Sequence, residues 1–263
     1  MEKLRYSCRI LRVEFLRIIN NPGRISGILS KRKVRTFLQT LESRLRFKSQ
    51  WAYDQTYGRR IYRTYEDYIA HQKKGIESTS CEPHDYDARY REVLRERLTK
   101  LNLLRHGGVV LCLGARMGTE VKSFLDLGCF AIGIDLNPGE NNRYVVQGDF
   151  HDIQFPSSSV DTIFTNSLDH VFDIEKVLNE VKRVLKPEGL LIIEAVGGTG
   201  EGRLPCYFES FSWATIDNLE SLLKNSGFKL IKHKQYAFTY PWIGKQLCFN
   251  CPLDNPHTDK EEK

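Results

Sequence analysis

The sequence predicts an α/β protein: a doubly wound parallel sheet with helices on both faces and a helical N-terminal extension. Short apolar runs alternate with amphipathic helical segments between residues 107 and 236. The run Val109–Leu113 is apolar at every position, which is typical of a strand buried on both faces of a parallel sheet. Strands and helices that alternate along the chain are the pattern of a doubly wound sheet.

The elements follow from periodicity and from the residues that interrupt it. Pro187 and Gly189 should stop one helix, and Gly227 should close another. We expect strands at 109–113, 129–134, 144–146, 160–164 and 190–193, a further strand starting at 228–231, and helices at 87–104, 120–127, 174–185 and 216–226.

Length and composition limit the architecture. The 263 residues suffice for one large domain, or for one domain of roughly 150 residues with extensions. A composition with 41% hydrophobic and 27% charged residues disfavours disorder, collagen and coiled coil. We divide the chain into a basic amphipathic helical arm (1–50), an aromatic-rich helical cap (51–106), a cofactor-binding domain (107–250) and a polar tail (251–263).

The arm concentrates the positive charge. It holds 13 Lys or Arg and three acids, so it carries +10 and leaves −4 for the other 213 residues. That balance disfavours nucleic acid binding over the whole surface. The apolar residues of the arm recur at helical spacing: Leu4, Cys8, Leu11, Phe15 and Ile18. Such a helix could pack on the domain, lie on an anionic membrane surface, or bind a partner protein or RNA.

The chain has no run of about 18 apolar residues, and arginines interrupt the apolar pattern at its N-terminus. Seven cysteines, an odd number, indicate reduced thiols. We therefore expect a cytoplasmic protein, with peripheral membrane contact through residues 1–50 as an option. One CxxC pair, Cys248 and Cys251, is poor support for a zinc site, and we predict no metal.

The residues with chemical potential follow the predicted strands. The first strand runs into a glycine turn from Gly114 to Gly118, and the second ends at Asp135. A glycine turn before a helix lets backbone approach a ligand, and an acid after the next strand suits two ribose hydroxyls. The spacing alone predicts a nucleoside-containing cofactor. Gly148-Asp149-Phe150 and a segment from Thr165 to His170 follow the next two strands, where ligands of such sheets bind.

These segments resemble class I S-adenosylmethionine-dependent methyltransferases of the methyltransferase-11-like group. The resemblance covers about half the chain, from residue 109 to about residue 228, and its most specific part is the helix, Leu-Lys-Pro-x-Gly turn and strand at 181–191. It implies a Rossmann-like methyltransferase sheet with S-adenosylmethionine as cofactor. Arg116 departs from the usual Gly-x-Gly-x-Gly pattern and could instead narrow the loop or reach a substrate carboxylate or phosphate.

The resemblance also implies roles for individual residues. Those expected near the methionine moiety are Gly114, Ala115, Arg116, Gly118 and Glu120, the last steadying the loop. Asp135 would hold the ribose, with Leu136 against the adenine. Gly148, Asp149 and Phe150 would form the adenine site, although Asp149 could instead close an Asx turn. Asn166 and Ser167 would line the floor beneath the sulfonium.

We single out His170 as the catalytic residue, because a neutral imidazole near the acceptor could take its proton. A packing role for His170 remains an equal alternative. The segment 51–74, rich in aromatics and containing Arg59, Arg60 and Arg63, is the predicted cap over the acceptor.

We therefore predict methyl transfer to a small-molecule, glycan or lipid-linked acceptor, with oxygen as the target atom. The motif of DNA amino-methyltransferases is absent after the fourth strand, which disfavours nucleic acid as acceptor. The alternatives are a non-catalytic methyltransferase-like partner module and an NAD-linked oxidoreductase.

Overall fold

A computed structural model describes residues 50–79, 86–203, 205–237 and 243–251. The predicted arm (1–50, except Gln50) and the tail (251–263, except Cys251) lie outside the described residues, as do residues 80–85. The expectations for the arm helix are therefore not addressed by the structure. None of the helices in the described ranges is long and apolar enough to cross a membrane.

The main sheet has seven strands in the order β5-β4-β3-β6-β7-β10-β9. Their bounds are β3 Val109–Leu113, β4 Phe130–Asp135, β5 Val145–Gln147, β6 Val160–Thr165, β7 Leu185–Val196, β9 Lys229–Ala237 and β10 Ile243–Asn250. The first five pair in parallel, and β10 runs antiparallel between β7 and β9. This confirms the predicted fold class.

Helices cover both faces of this sheet. Alternate residues of β3 divide between them: Val110 and Cys112 join one buried cluster, and Leu111 and Leu113 join the other. Helices α2 Tyr86–Leu101 and α3 Thr119–Asp126 pack on the first face, while α4 Ile174–Val184 and α5 Ile216–Asn225 pack on the second. The period-two alternation explains why β3 is apolar at every position.

The segment 51–106 differs from the predicted helical cap. Strands β1 Gln50–Tyr53 and β2 Tyr57–Ile61 form an antiparallel hairpin, and β8 Phe211–Trp213 completes a second, three-stranded sheet. Asp54 closes the turn, since its Oδ1 accepts from the backbone N–H groups of Thr56 and Tyr57 at 2.6 and 2.7 Å. The aromatic side chains that suggested a cap are also strong strand formers. In the described part of this segment, helix α1, Tyr65–Thr79, and helix α2 match the helical prediction.

Several boundaries also shift. Helix α2 ends at Leu101 rather than 104, because Asn102 turns into the left-handed region with φ of 53°. Strand β7 is much longer than 190–193, and β10, which the sequence analysis missed, pairs along its length from Leu190 to Val196. The two CxxC thiols fall on opposite faces of the sheet, Cys248 in one buried cluster and Cys251 in the other.

Candidate active site

A cavity of about 320 Å³ lies where β3, β4 and β6 end. The strand order reverses between β3 and β6, and ligands of doubly wound sheets bind at such a reversal. Ten of the predicted site residues line it: Gly114, Ala115, Arg116, Glu120, Asp135, Leu136, Phe150, Asn166, Ser167 and His170. Sites predicted from separate motifs therefore meet in one cavity.

The glycine turn approaches Ser167, in the segment that follows β6, too closely for any side chain at its first position. Gly114 has φ of 69°, and a Cβ there would lie 2.8 Å from the Cβ of Ser167. Gly118 has φ of 79° and packs against Tyr144 instead of lining the cavity; a Cβ on it would lie 2.6 Å from the Cβ of Tyr144. Glycine at both positions is therefore a steric requirement.

Arg116 adopts the conformation of the glycine it replaces. Its φ is 41°, and its carbonyl accepts from Asn142 Nδ2 at 2.9 Å. A residue with a Cβ pays roughly 1–2 kcal/mol for this left-handed geometry. The loop thus keeps its shape despite the departure from the usual glycine pattern, and Arg116 lines the cavity.

We expect Arg116→Gly to raise the free energy of unfolding by about 1 kcal/mol relative to Arg116→Ala, because glycine removes the left-handed strain. Urea denaturation of the two variants measures the difference. Arg116→Ala serves as the matched control, since both variants lose the same charge and only one keeps a Cβ. If Arg116→Gly were less stable than Arg116→Ala, the backbone at this position would not be strained.

Asp135 anchors the turn while facing the cavity. It ends β4, is nearly buried, and accepts from the backbone N–H of Arg116 and of Asn137, each at 2.9 Å and each through a different oxygen. A carboxylate oxygen has two lone pairs, so both oxygens keep acceptor capacity for a pair of ligand hydroxyls.

The floor of the cavity is a buried polar chain. Asn166 Nδ2 donates to Glu120 Oε1 at 3.0 Å and to the Tyr90 hydroxyl at 2.9 Å, and Asn166 Oδ1 accepts from Ser167 Oγ at 3.0 Å. The Tyr90 hydroxyl in turn donates to Glu194 at 3.3 Å. Burial raises the pKa of Glu120 to about 7, so a carboxylate poised to ionise near neutrality faces the ligand space.

This pKa predicts that cationic ligands bind Glu120 better as the pH rises. We expect the affinity for S-adenosylmethionine to increase roughly tenfold from pH 6 to pH 8, because the ionised fraction rises about that much around a pKa near 7. The raised folded-state pKa also means that the stability contributed by Glu120 is present at low pH and is lost as pH rises through about 7.

Titration calorimetry and urea unfolding at pH 6, 7 and 8 test both parts. Burial also raises the pKa of Glu194 to about 7, so the difference between wild type and Glu120→Gln isolates the contribution of Glu120. A pH dependence of affinity that survives in Glu120→Gln would assign it to another group.

Asp149 is held by protein groups. Its Oδ1 accepts from the backbone N–H of His151 at 2.8 Å, which forms the Asx turn considered as the alternative, and it also accepts from Tyr65. Asp149 and Gly148 are not among the described residues that line the cavity, whereas Phe150 is. His151 is fully buried, and its Nε2 accepts from the N–H groups of Phe172 and Asp173 at 3.1 Å, so it is a structural residue.

The cavity also includes residues that were not named among the predicted site residues. They are Tyr68, Gln72, Tyr90, Met117, Thr119, Cys206 and Phe208. Tyr68 and Gln72 come from α1, so the segment before the first core strand does contribute to the site. The aromatic density of 51–74 was the available signal, but it did not distinguish these two positions from their neighbours.

The three arginines of that segment are placed elsewhere. Arg60 is buried; it donates to the carbonyls of Glu209 and Tyr207 at 2.8 and 2.5 Å and lies 5.0 Å from the ring centre of Trp51. Arg59 and Arg63 are exposed. Of the described residues, Arg116 is the arginine that lines the cavity, so the expectation that the cap arginines hold an acceptor anion is not supported there.

The donor set fits S-adenosylmethionine. The Asp135 carboxylate offers two acceptors at the ribose position, Phe150 and Leu136 offer apolar surface for a base, and Glu120 offers a buried carboxylate for a cation. Gly114 lets the backbone of the turn pass close to Ser167. The first turn of α3 then lies beside the cavity, and its residues Thr119 and Glu120 line it.

Comparison with known proteins gives a family match over part of the chain. Residues 111–193 match the model of a methyltransferase domain family. An uncharacterized methyltransferase of Geobacillus thermodenitrificans (strain NG80-2) is 26% identical over 184 residues, which are 59% of this chain and 86% of that protein.

Solved structures share the fold. The Burkholderia thailandensis 1,6-didemethyltoxoflavin-N1-methyltransferase, with 1,6-didemethyltoxoflavin and S-adenosylhomocysteine bound, aligns with a TM-score of 0.57 at 16% identity over 78% of this chain and all of that one. A SAM-dependent methyltransferase from Methanosarcina mazei aligns with a TM-score of 0.50 at 17% identity over 59% and 98% of the two chains. The chain carries a class I, S-adenosylmethionine-dependent methyltransferase domain.

Proposed function

We propose that this methyltransferase methylates a hydroxyl oxygen of a small-molecule, glycan or lipid-linked acceptor, with His170 as general base. The observation that carries the proposal is the position of His170. His170 lines the same cavity as Asp135 and Glu120, and its side chain is 34% exposed to solvent. Oxygen acceptors must lose a proton when they are methylated, so they need such a base.

Asp135, Leu136 and Phe150 would hold the nucleoside part of the cofactor, and Glu120 with Asn166 would face its charged end. When bound, S-adenosylmethionine supplies a methyl group and leaves as S-adenosylhomocysteine with the electron pair of the broken C–S bond. The acceptor hydroxyl must then be held in line with that methyl group, and this positioning provides much of the rate.

His170 would take the hydroxyl proton as the new O–C bond forms, and the imidazolium would later release it to water. Asp169 supports this charge, because its Oδ1 lies 3.9 Å from His170 Nε2. The cavity residues contributed by α1 and by the segment before β8 are neutral: Tyr68, Gln72, Cys206 and Phe208. A neutral hydroxyl compound matches this lining better than a multiply charged one.

The test uses methyl-labelled S-adenosylmethionine with pools of small molecules, glycans and lipid extract, followed by mass spectrometry of the labelled product. We expect a methoxy product that forms with the wild-type chain and not without it. A methyl group on nitrogen or carbon would overturn the oxygen assignment. Cofactor binding without any labelled product would instead favour a partner module.

The basic arm adds a proposal about where the acceptor resides. Its charge of +10 supports peripheral contact with an anionic membrane, which would suit a lipid-linked acceptor. Co-sedimentation with vesicles containing phosphatidylserine compares the full chain with a chain lacking residues 1–49. Equal vesicle binding of the two forms would contradict membrane contact through the arm and would favour a soluble acceptor.

A further inference from the structure

Gln72 links the α1 helix to His170. Its Nε2 donates to the carbonyl oxygen of Phe208 at 2.9 Å and to Ser210 Oγ at 2.8 Å. A backbone carbonyl can only accept, so the amide of Gln72 must present its nitrogen to Phe208. The other end of the amide, Oε1, therefore faces His170 Nδ1 at 2.9 Å.

This orientation determines which ring nitrogen of His170 carries the proton. An amide oxygen only accepts, so His170 Nδ1 must donate to Gln72. In the neutral imidazole the lone pair is then on Nε2. Asp169 Oδ1, at 3.9 Å from Nε2, lies beyond hydrogen-bond distance.

We propose that Gln72 is a positioning residue that holds His170 in the tautomer with a proton on Nδ1, so that Nε2 is the proton acceptor. The proposal rests on the proposed role of His170 as base and adds the residue that prepares it. It also gives the segment before the methyltransferase domain a direct part in the reaction, because Gln72 lies 39 positions before the matched residues 111–193.

The charges around His170 favour the same direction of proton transfer. Asp169 lies beside Nε2, and Arg203 lies 3.8 Å from Asp169 and also pairs with buried Glu209. Because Arg203 is one cation that faces two carboxyl groups, the remaining negative charge can stabilise an imidazolium at His170. His71 directly precedes Gln72 in α1, and burial lowers its pKa to about 3, so it adds no competing charge near neutrality.

Gln72 is itself well fixed. It is 9% exposed, and both ends of its amide are hydrogen-bonded to groups that belong to different parts of the chain. A side chain held this way loses little further entropy when it orients His170, which is what a preorganised site needs.

Nitrogen-15 NMR of the histidine side chains tests the tautomer in the full chain at pH 8.5, without any acceptor. The variants are Gln72→Met, which removes both amide groups at similar size, and Gln72→Glu, which keeps an acceptor for Nδ1–H. Ser210→Ala is the matched control, because it removes another partner of Gln72 and leaves His170 untouched. His170→Gln assigns the signal.

We expect the Nδ1–H form of His170 to dominate in wild type, Ser210→Ala and Gln72→Glu, and to lose its dominance in Gln72→Met. Wild-type His170 with its proton on Nε2, or an unchanged tautomer in a folded Gln72→Met, would overturn the proposal. Thermal melting establishes which variants are folded. If Gln72→Met does not fold, the comparison of Gln72→Glu with wild type gives a second test of the tautomer.

Turnover of labelled S-adenosylmethionine separates this proposal from the proposed function. We expect Gln72→Met to lower kcat about 10- to 100-fold with cofactor affinity unchanged, and Gln72→Glu to recover most of the rate. Normal turnover in Gln72→Met would overturn the positioning role. If His170→Gln kept its activity, the base role would fail, while the NMR result would still decide whether Gln72 sets the tautomer.

Discussion

Replacing His170 with glutamine should lower kcat by about 10²- to 10⁴-fold, the range that one positioned general base contributes. Glutamine can still hydrogen-bond to Gln72, so the local packing should survive the change. It has no basic nitrogen, so the acceptor hydroxyl would have to lose its proton to water. Cofactor affinity should stay within about twofold, because Asp135 and Glu120 remain in place.

His233→Gln is the matched control, since His233 lies on β9 at the edge of the sheet and its side chain is 58% exposed. It should leave kcat unchanged. If the two variants had equal kcat, His170 would have a packing role, which is the alternative that the sequence left open.

The fold could be predicted because burial on both faces makes core strands apolar at every position. Val109–Leu113 and the run Leu190–Ile193 within β7 carry that signal directly. Strand β10 does not, because Gln246 and Lys245 interrupt it, although Gln246 is buried through a hydrogen bond to Glu194 at 2.9 Å. A polar residue satisfied by a distant partner cannot be recognised as buried from local pattern alone.

The cofactor half of the site was accessible from the sequence for a related reason. Gly114 and Asp135 sit at strand ends, and strand order brings such ends together. Gln72 and Phe208 lie 136 positions apart and meet only through the packing of α1 on the loop before β8. Their contribution depends on tertiary contacts, and so the structure was needed to find it.

Asp149 has surroundings that the motif could not predict. The resemblance implied an adenine contact, yet its carboxylate already accepts from Tyr65 and His151. Tyr65 belongs to α1, outside the segment that carries the resemblance. A residue outside the segment that carries the resemblance therefore uses part of the hydrogen-bonding capacity that the motif alone left to a ligand.

Asp135→Ala should weaken binding of S-adenosylmethionine and S-adenosylhomocysteine by about a hundredfold or more. Two hydrogen bonds to a carboxylate contribute about 1.5–3 kcal/mol each, and about 1.4 kcal/mol corresponds to a factor of ten. The change also leaves the N–H groups of Arg116 and Asn137 without their acceptor, which loosens the glycine turn. Both effects reduce affinity for the nucleoside, so the two ligands should lose affinity in parallel.

Isothermal titration measures this loss, with Glu140→Ala as the matched control. Glu140 is an exposed acid five positions further along, so its loss changes net charge equally without touching the cavity. NAD serves as a ligand control and should not bind either form. Asp135→Asn separates the two contributions, because the amide keeps one acceptor for the turn and loses the charge-assisted pair. If Asp135→Ala bound both ligands as tightly as Glu140→Ala does, the ribose would have to be held elsewhere.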